Sequence, residues 1–482
     1  MWKIALRTSV CLLAGTVAAV AIARPASTAS TASTASTGGL DGSWRGTYTQ
    51  IRPAELAVAV SGGEALVALG AGHATVRRVK ASVSSGRLRL IVPGLPSPLV
   101  LEARRVGDRL VGTATQGKVR GPLTATRGTA PELTARGVFA RGSRELDVVD
   151  DPYGPPRLLD PDTGRVRGLY AHGDSFTVGS GFATERPSVG TGRFSTGDAR
   201  VLGTRFSRVT LTQLEVRIPV AGTSLGGTLT LPAGAGPHPA VAFVAGSGET
   251  ERAYLPDLSA MLVRAGVAVL TYDKRGIAQS SGRYPGESPT ASTIDILARD
   301  AAAVARFLTR VPGIDATRVG LAGHSQAGWV MPLAASREPR IRFVISLSGP
   351  AVTADEVDLF QTLTGEGVRH DHTLADATAQ VEARGPSGVD PIPWLRSLRI
   401  PSLWVYGALD QHVPAELSAK RLRALMDSGD DAVTLDVLPG ANHALVETKT
   451  GLTSEMLRSD RFARWLPSVL RDWLAAHAIT RR

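Results

Sequence analysis

The stretch Arg318-Val-Gly-Leu-Ala322-Gly323-His324-Ser325-Gln326-Ala327-Gly328-Trp329 decides the fold of the C-terminal half of this chain. Its first five residues are an apolar β-like run, and Trp329 to Ala335 continues as a helical one. Between them lies Gly-x-Ser-x-Ala, the pattern of a strand, a tight turn and a helix. A serine at such an apex is held in strained backbone geometry, with its hydroxyl lifted above the sheet. Small residues two before and two after Ser325 let strand and helix approach; the second is Ala327, where glycine is commoner. The N-terminus of the helix faces the same point and favours negative charge there.

Outward from that turn, strand-like and helical runs alternate from about residue 210. Strand candidates are Glu215–Val220, Gly227–Leu231, Ala240–Val244, Val267–Tyr272, Arg318–Ala322, Arg342–Leu347, Ser402–Tyr406 and Ala432–Leu438. Ile294, Leu297, Ala301, Val304 and Leu308 recur at helical spacing, and a last helix spans about 461–477. This alternation predicts an α/β domain over 210–482: a mostly parallel, eight-stranded sheet with helices on both faces. Residues 351–393, between two strands, are expected to form a short cap.

A serine hydroxyl needs a base. His443, in Pro439-Gly-Ala-Asn-His443 just after the last strand, is placed to take its proton and return it to a leaving group. Asp410, after the preceding strand, would hold the imidazole tautomer and stabilise the imidazolium. The second requirement is a pair of backbone donors for an oxyanion. One is expected from Gln326, directly after the nucleophile. The other is expected from the loop Ala245-Gly246-Ser247-Gly248-Glu249, with Ser247 favoured and Gly248 as the alternative. His412 is too local to Asp410 to bridge to the serine and is expected at the surface or rim. His370-Asp371-His372 lacks a third partner for a metal and reads as an exposed turn.

Together Gly246-Ser-Gly248, Asp273-Lys-Arg-Gly276 and Gly323-His-Ser-Gln-Ala-Gly-Trp329 resemble the α/β-hydrolase superfamily, and within it secreted bacterial serine esterases. The likeness covers about 215–478. Where many relatives have His before the oxyanion-loop glycine, this chain has Ala245. The resemblance implies hydrolysis of small-molecule carboxylic esters through an acyl-enzyme, with no metal and no cofactor. It also implies that Asp273 organises a loop and is not catalytic.

The N-terminal half has another texture. Residues 1–23 carry Lys3 and Arg7, then fourteen uncharged residues from Val10 to Ala23, the layout of a secretory signal peptide. This implies a secreted, periplasmic or envelope protein with no transmembrane span once cleaved. The only cysteine, Cys11, lies in that run, so the mature chain would hold no disulfide and no cysteine-ligated metal. Residues 24–39 are an Ala/Ser/Thr-rich linker. Residues 40–130 show short alternating runs about ten residues apart, such as Leu56–Val60, Ala65–Leu69 and Arg87–Val92, and predict a small antiparallel all-β barrel-like domain. Residues 131–209 read as an irregular β linker region.

The net charge of +11 is concentrated in the barrel-like domain, which has thirteen Lys and Arg against five Asp and Glu. A weak association with the anionic cell envelope is one use of that charge, and a solvated surface is the plainer one. Nucleic acid is excluded as a partner by the lack of any binding motif and of stacking aromatics. Three functions therefore compete: a carboxylesterase; a serine peptidase of the same fold, with Glu249 or Glu251 receiving the substrate amine; and a non-catalytic envelope-binding protein.

Overall fold

The computed structural model describes residues 40–480, apart from 41, 50–52, 62, 70–74, 93–97, 117–118, 128–136, 150–156, 173–174, 183–187, 196, 369–371 and 457. The proposed signal peptide 1–23 and linker 24–39 lie outside the described residues.

The C-terminal sheet has eight strands: β1 (Gln213–Val220), β2 (Thr223–Thr230), β3 (His238–Val244), β4 (Ala268–Tyr272), β5 (Ile314–His324), β6 (Val344–Leu347), β7 (Ser402–Gly407) and β8 (Val433–Leu438). Their order across the sheet is β1-β2-β4-β3-β5-β6-β7-β8. β5 to β8 pair in parallel, and β1, β2 and β4 pair antiparallel. β6 and β7 are buried along their whole length, as continuous apolar strands are when both faces of a parallel sheet are covered.

The chain divides into two compact units, one built from Ala240–Glu249 and Arg283–Met456 and the other from the remaining described residues. In the first, α2 (Ala291–Leu308, following α1, Pro256–Arg264) begins at Thr290, whose hydroxyl accepts the Thr293 N–H at 3.2 Å. Ile294, Leu297, Ala301, Val304 and Leu308 form its buried stripe. α3 (Ala327–Arg337) follows β5 after a two-residue turn. Between β6 and β7, over the segment expected to form a cap, lie three helices, α4 (Ala354–Thr364), α5 (Leu374–Arg384) and α6 (Ile392–Ser397). Thr353 and Glu356 close a capping box at the start of α4, and the buried Glu356 also receives the Arg421 guanidinium from α7 (Ala415–Asp427).

In the second unit, Gly42 to Arg127 form a closed eight-stranded antiparallel barrel, its first strand pairing with its last through Trp44 and Arg127. Leu88, Leu90 and Val92 point inward while Arg87, Arg89 and Ile91 point out. Trp44 is fully buried in the interior and donates its indole N–H to the Leu40 carbonyl at 2.9 Å. Among the described residues, Lys80, Arg87, Arg89, Arg104, Arg109, Arg120 and Arg127 lie on the exposed outside of this apolar core.

The reading of 131–209 as an irregular linker is corrected by the topology. Gly137 to Val209 close a second eight-stranded antiparallel barrel. Several strands have four or five residues, and the core mixes aliphatic and aromatic side chains: Phe139, Phe176 and Phe206 are buried among Leu and Val, with Phe194 packed edge-on to the first two. Part of the outer face is covered as well. The N–H of Val166 bonds the Asp460 carbonyl at 2.7 Å, and the N–H of Phe182 bonds that of Ser459 at 3.1 Å. Arg264 of α1 and Arg471 of α8 (Leu466–Ala476) both reach Asp162. Where both faces are buried, as at Leu158 and Leu159, the period-two signal of a half-exposed strand is lost.

Candidate active site

Ser325 stands between β5 and α3 at φ 56°, in the left-handed region, where an L-residue costs about 1–2 kcal/mol. Its N–H is tied to the Leu347 carbonyl of β6 at 3.1 Å, and its carbonyl accepts the Gly328 N–H at 2.9 Å. The turn is therefore clamped on both sides. Gly323 explains the small-residue spacing: a Cβ there would come within 2.6 Å of both the Ala327 Cβ and the Val244 carbonyl. Ala327 is fully buried, so its methyl is accommodated because residue 323 has no side chain.

The Ser325 Oγ lies 3.0 Å from His443 Nε2, and His443 Nδ1 lies 2.8 Å from Asp410 Oδ2. An ionised carboxylate only accepts, so Nδ1 carries the proton and Nε2 offers its lone pair to the serine hydroxyl. Asp410 Oδ1 accepts the backbone N–H groups of His412 and Val413, each at 2.8 Å. Burial pushes the Asp410 carboxyl up to about 6, while charge interaction with His412 and those two amides oppose the rise. Burial also pulls the His443 imidazole down, so it is neutral at neutral pH, with the Nε2 lone pair free to accept a proton.

Residues not singled out by sequence reasoning hold this pair in place. His324, next to the nucleophile, is buried, and its Nε2–H donates to the His443 carbonyl at 2.9 Å. Burial, with His443 as the second cause, lowers it to about 3, so it is a neutral donor. At the end of β7, a Cβ on Gly407 would meet the Asn442 carbonyl at 2.3 Å, so glycine is what lets the His443 loop lie against that strand. The Asn442 side chain then accepts the N–H groups of Ala444 and Val446 and fixes the loop from within. A glycine closing a strand and an asparagine before the histidine were the available signals.

Two expectations need revision or qualification. His412 is not a surface residue: it is buried, and its ring packs 4.8 Å from that of His443. Of the His370–His372 turn only His372 is described, and it is exposed; the other two residues lie outside the described set. Ser247 lies half-buried in the turn after β3, beside Gly248 at φ 88°, and Gln326 is buried at the N-cap of α3. Asp273 is buried and accepts the Arg252 backbone N–H and guanidinium and the Gln279 N–H, the bonding of a loop organiser. Glu249 is exposed, whereas Glu251 is buried and pushed up to about 7 by burial and then by Asp273. Among the described residues no cluster of His, Cys, Asp and Glu could hold a metal, and no helix is long and apolar enough to cross a membrane.

Residues 257–468 match the Prolyl oligopeptidase family. Esterase EstD of Thermotoga maritima is 23% identical over 320 residues, which span 56% of this chain and 74% of that protein. The chain contains an α/β-hydrolase domain. An Escherichia coli protein, the uncharacterized 31.7 kDa protein in the traX-finO intergenic region, is 25% identical to this chain over 214 residues, 40% of this chain and 72% of its own. Among solved structures, Est1E from Butyrivibrio proteoclasticus with bound ferulic acid is 18% identical, covers 55% of this chain and all of its own, and has a TM-score of 0.39.

Proposed function

We propose that this α/β-hydrolase cleaves small carboxylic esters through an acyl-enzyme, with Ser325 as nucleophile, His443 as general base and acid, and Asp410 as its orienting carboxylate. The observation that carries this reading is the hydrogen-bonded chain from Ser325 Oγ to His443 Nε2 and from His443 Nδ1 to Asp410 Oδ2, at 3.0 and 2.8 Å. As the Ser325 oxygen bonds to the ester carbonyl carbon, its proton passes to Nε2. The carbonyl oxygen becomes an oxyanion received by the N–H groups of Gln326 and Ser247. The imidazolium then protonates the departing alkoxide, the C–O bond breaks, and the acyl group remains on Ser325. Water repeats the sequence and releases the acid. No cofactor enters any step.

The match to the Prolyl oligopeptidase family favours one rival, a peptidase. Recognition of a substrate ammonium asks for an ionised carboxylate. Glu249 is solvated, and Glu251, at about 7, is only partly ionised at neutral pH. The ester reading needs neither. Turnover of p-nitrophenyl butyrate beside aminoacyl-p-nitroanilides separates the two. Ester turnover lost in Ser325→Ala is expected; anilide turnover without ester turnover would establish the peptidase. Absence of fluorophosphonate labelling at Ser325 would remove both. Export by residues 1–23 belongs to the same proposal and is checked by the N-terminal sequence of the mature protein.

A further inference from the structure

In a small closed barrel, inward and outward positions alternate along every strand. In the second barrel Leu146, Leu158, Leu169 and Phe206 point inward and share one buried core. Carried towards one end, the same alternation puts Arg144 on the strand Arg144–Val149, Asp160 on Arg157–Asp160, and both Arg165 and Arg167 on Arg165–His172 at inward positions. Their side chains surround a cavity of about 80 Å³ floored by Leu146, Leu158 and Phe206. The mouth of this barrel is thus lined by three guanidinium groups and one carboxylate above an apolar base.

The countercharge is incomplete. Asp160 lies 3.6 Å from Arg144, which also sits 5.7 Å above the Phe206 ring. Arg165 approaches Asp460 at 3.7 Å. The Arg167 guanidinium is half-buried and makes no hydrogen bond and no close ion pair among the described residues; Asp460 and Asp160 act on it only as more distant opposing charges. Arg144 and Arg165 keep much of their solvent, but the partly desolvated Arg167 is unfavourable unless an anion answers it. At the rim, Leu202 is 41% exposed with φ 49°. The Leu202-Gly203 turn would be easier to form with Asn in that position, yet it holds an apolar side chain beside the cavity.

We propose that the mouth of the second barrel binds a short organic carboxylate. The oxyanion pairs with Arg167 and its neighbours, and the hydrocarbon stem lies on Leu158, Phe206 and Leu202. The planar fork of arginine matches a carboxylate in two-point contact, and barrel mouths are a recurrent place for ligand cavities. The volume holds roughly five to eight water-sized groups, which suits a stem of a few carbons and excludes a long chain. The site is independent of the proposed chemistry at Ser325.

Calorimetric titration of the full chain with butyrate, butyramide and inorganic phosphate tests this. Butyrate is expected to bind, butyramide about tenfold or more weakly because the charge is gone, and phosphate more weakly than butyrate because it has no stem. Arg167→Gln should weaken butyrate about tenfold and leave p-nitrophenyl butyrate turnover unchanged. Leu202→Asn, on an exposed turn where asparagine tolerates the backbone, should weaken butyrate by about two- to threefold; it keeps the test open if the arginine variant does not fold. Butyrate affinity indifferent to both substitutions, or matched by butyramide or by phosphate, overturns the proposal. Loss of ester turnover with Arg167-dependent binding intact would count against the esterase reading alone.

Discussion

The centre around Ser325 and the second barrel both bury carboxyl groups, and they treat them differently. Asp410 is 1% exposed and has three donors, two backbone amides and the His443 ring. Asp147 is 5% exposed, and its Oδ1 has no hydrogen-bond partner among the described residues. Its neighbours Glu145, Asp162 and Asp257 are themselves acidic, with Arg264 as the opposing charge. Asp410 therefore rises only to about 6, while burial and then Glu145 push Asp147 well above the ordinary carboxylate range. Burial alone does not set the charge of a carboxyl; at Asp410 charge interaction with His412 and directed backbone donors oppose it, and at Asp147 the nearest charge, Glu145, adds to it.

The largest test of that contrast is at the answered site. Ser325→Ala should lower ester turnover by about 10⁶-fold, as loss of a nucleophile does, with the thermal midpoint unchanged. Asp410→Asn should lower kcat by about 10⁴-fold, because an amide can hold the wrong tautomer. A loss below tenfold would mean that the charge of Asp410 is not what matters. His324→Leu removes a donor that positions the His443 backbone. A fall of about tenfold in kcat is expected with KM held, and His324→Gln, which keeps an N–H, should recover part of it; equal losses in both variants would point to packing instead.

The unanswered site should behave in the opposite sense. A carboxyl whose folded-state pKa is raised holds its proton longer in the folded chain than in the unfolded one. Its presence therefore reduces stability as pH rises above the unfolded value of about 4. Asp147→Asn should flatten that decline and raise stability at pH 8 by about 1–3 kcal/mol, read as a change in the pH dependence of Tm. A variant less stable at pH 8 than the parent would contradict the assignment. The smallest effect is expected from Ala327→Gly, which removes one buried methyl and adds backbone freedom in a helix. About 1 kcal/mol of stability should be lost, with turnover within about twofold, since Gly323 already leaves the space that positions Ser325.

How legible each part is in the sequence follows from the same physics. The strand-turn-helix at Ser325 announces itself because glycine and alanine are required two residues to either side, a local demand written in adjacent letters. The positions of Asp410 and His443 follow from strand ends, as their hydrogen bonds show. The first barrel is legible because strands such as Arg87–Val92 have one wet face: Arg-Leu-Arg-Leu at 87–90 states its own alternation. The second barrel is not. Its strand Arg157–Asp160 has four residues, too few for a period, and Leu158 inside and Leu159 outside are both buried. The burial of His412 is hidden for a related reason: its ring packs on that of His443, a contact that spacing along the chain does not reveal.

The pairing of Val166 with the Asp460 carbonyl has a consequence for biosynthesis. The amide is made about 290 residues before its acceptor, so at about 5–20 residues per second the ribosome delivers that partner roughly 15–60 s later. Until then one strand of the second barrel presents an uncovered backbone to the growing chain. A nascent chain arrested before residue 459 should therefore be cut by protease around residues 157–172, and the finished chain should not.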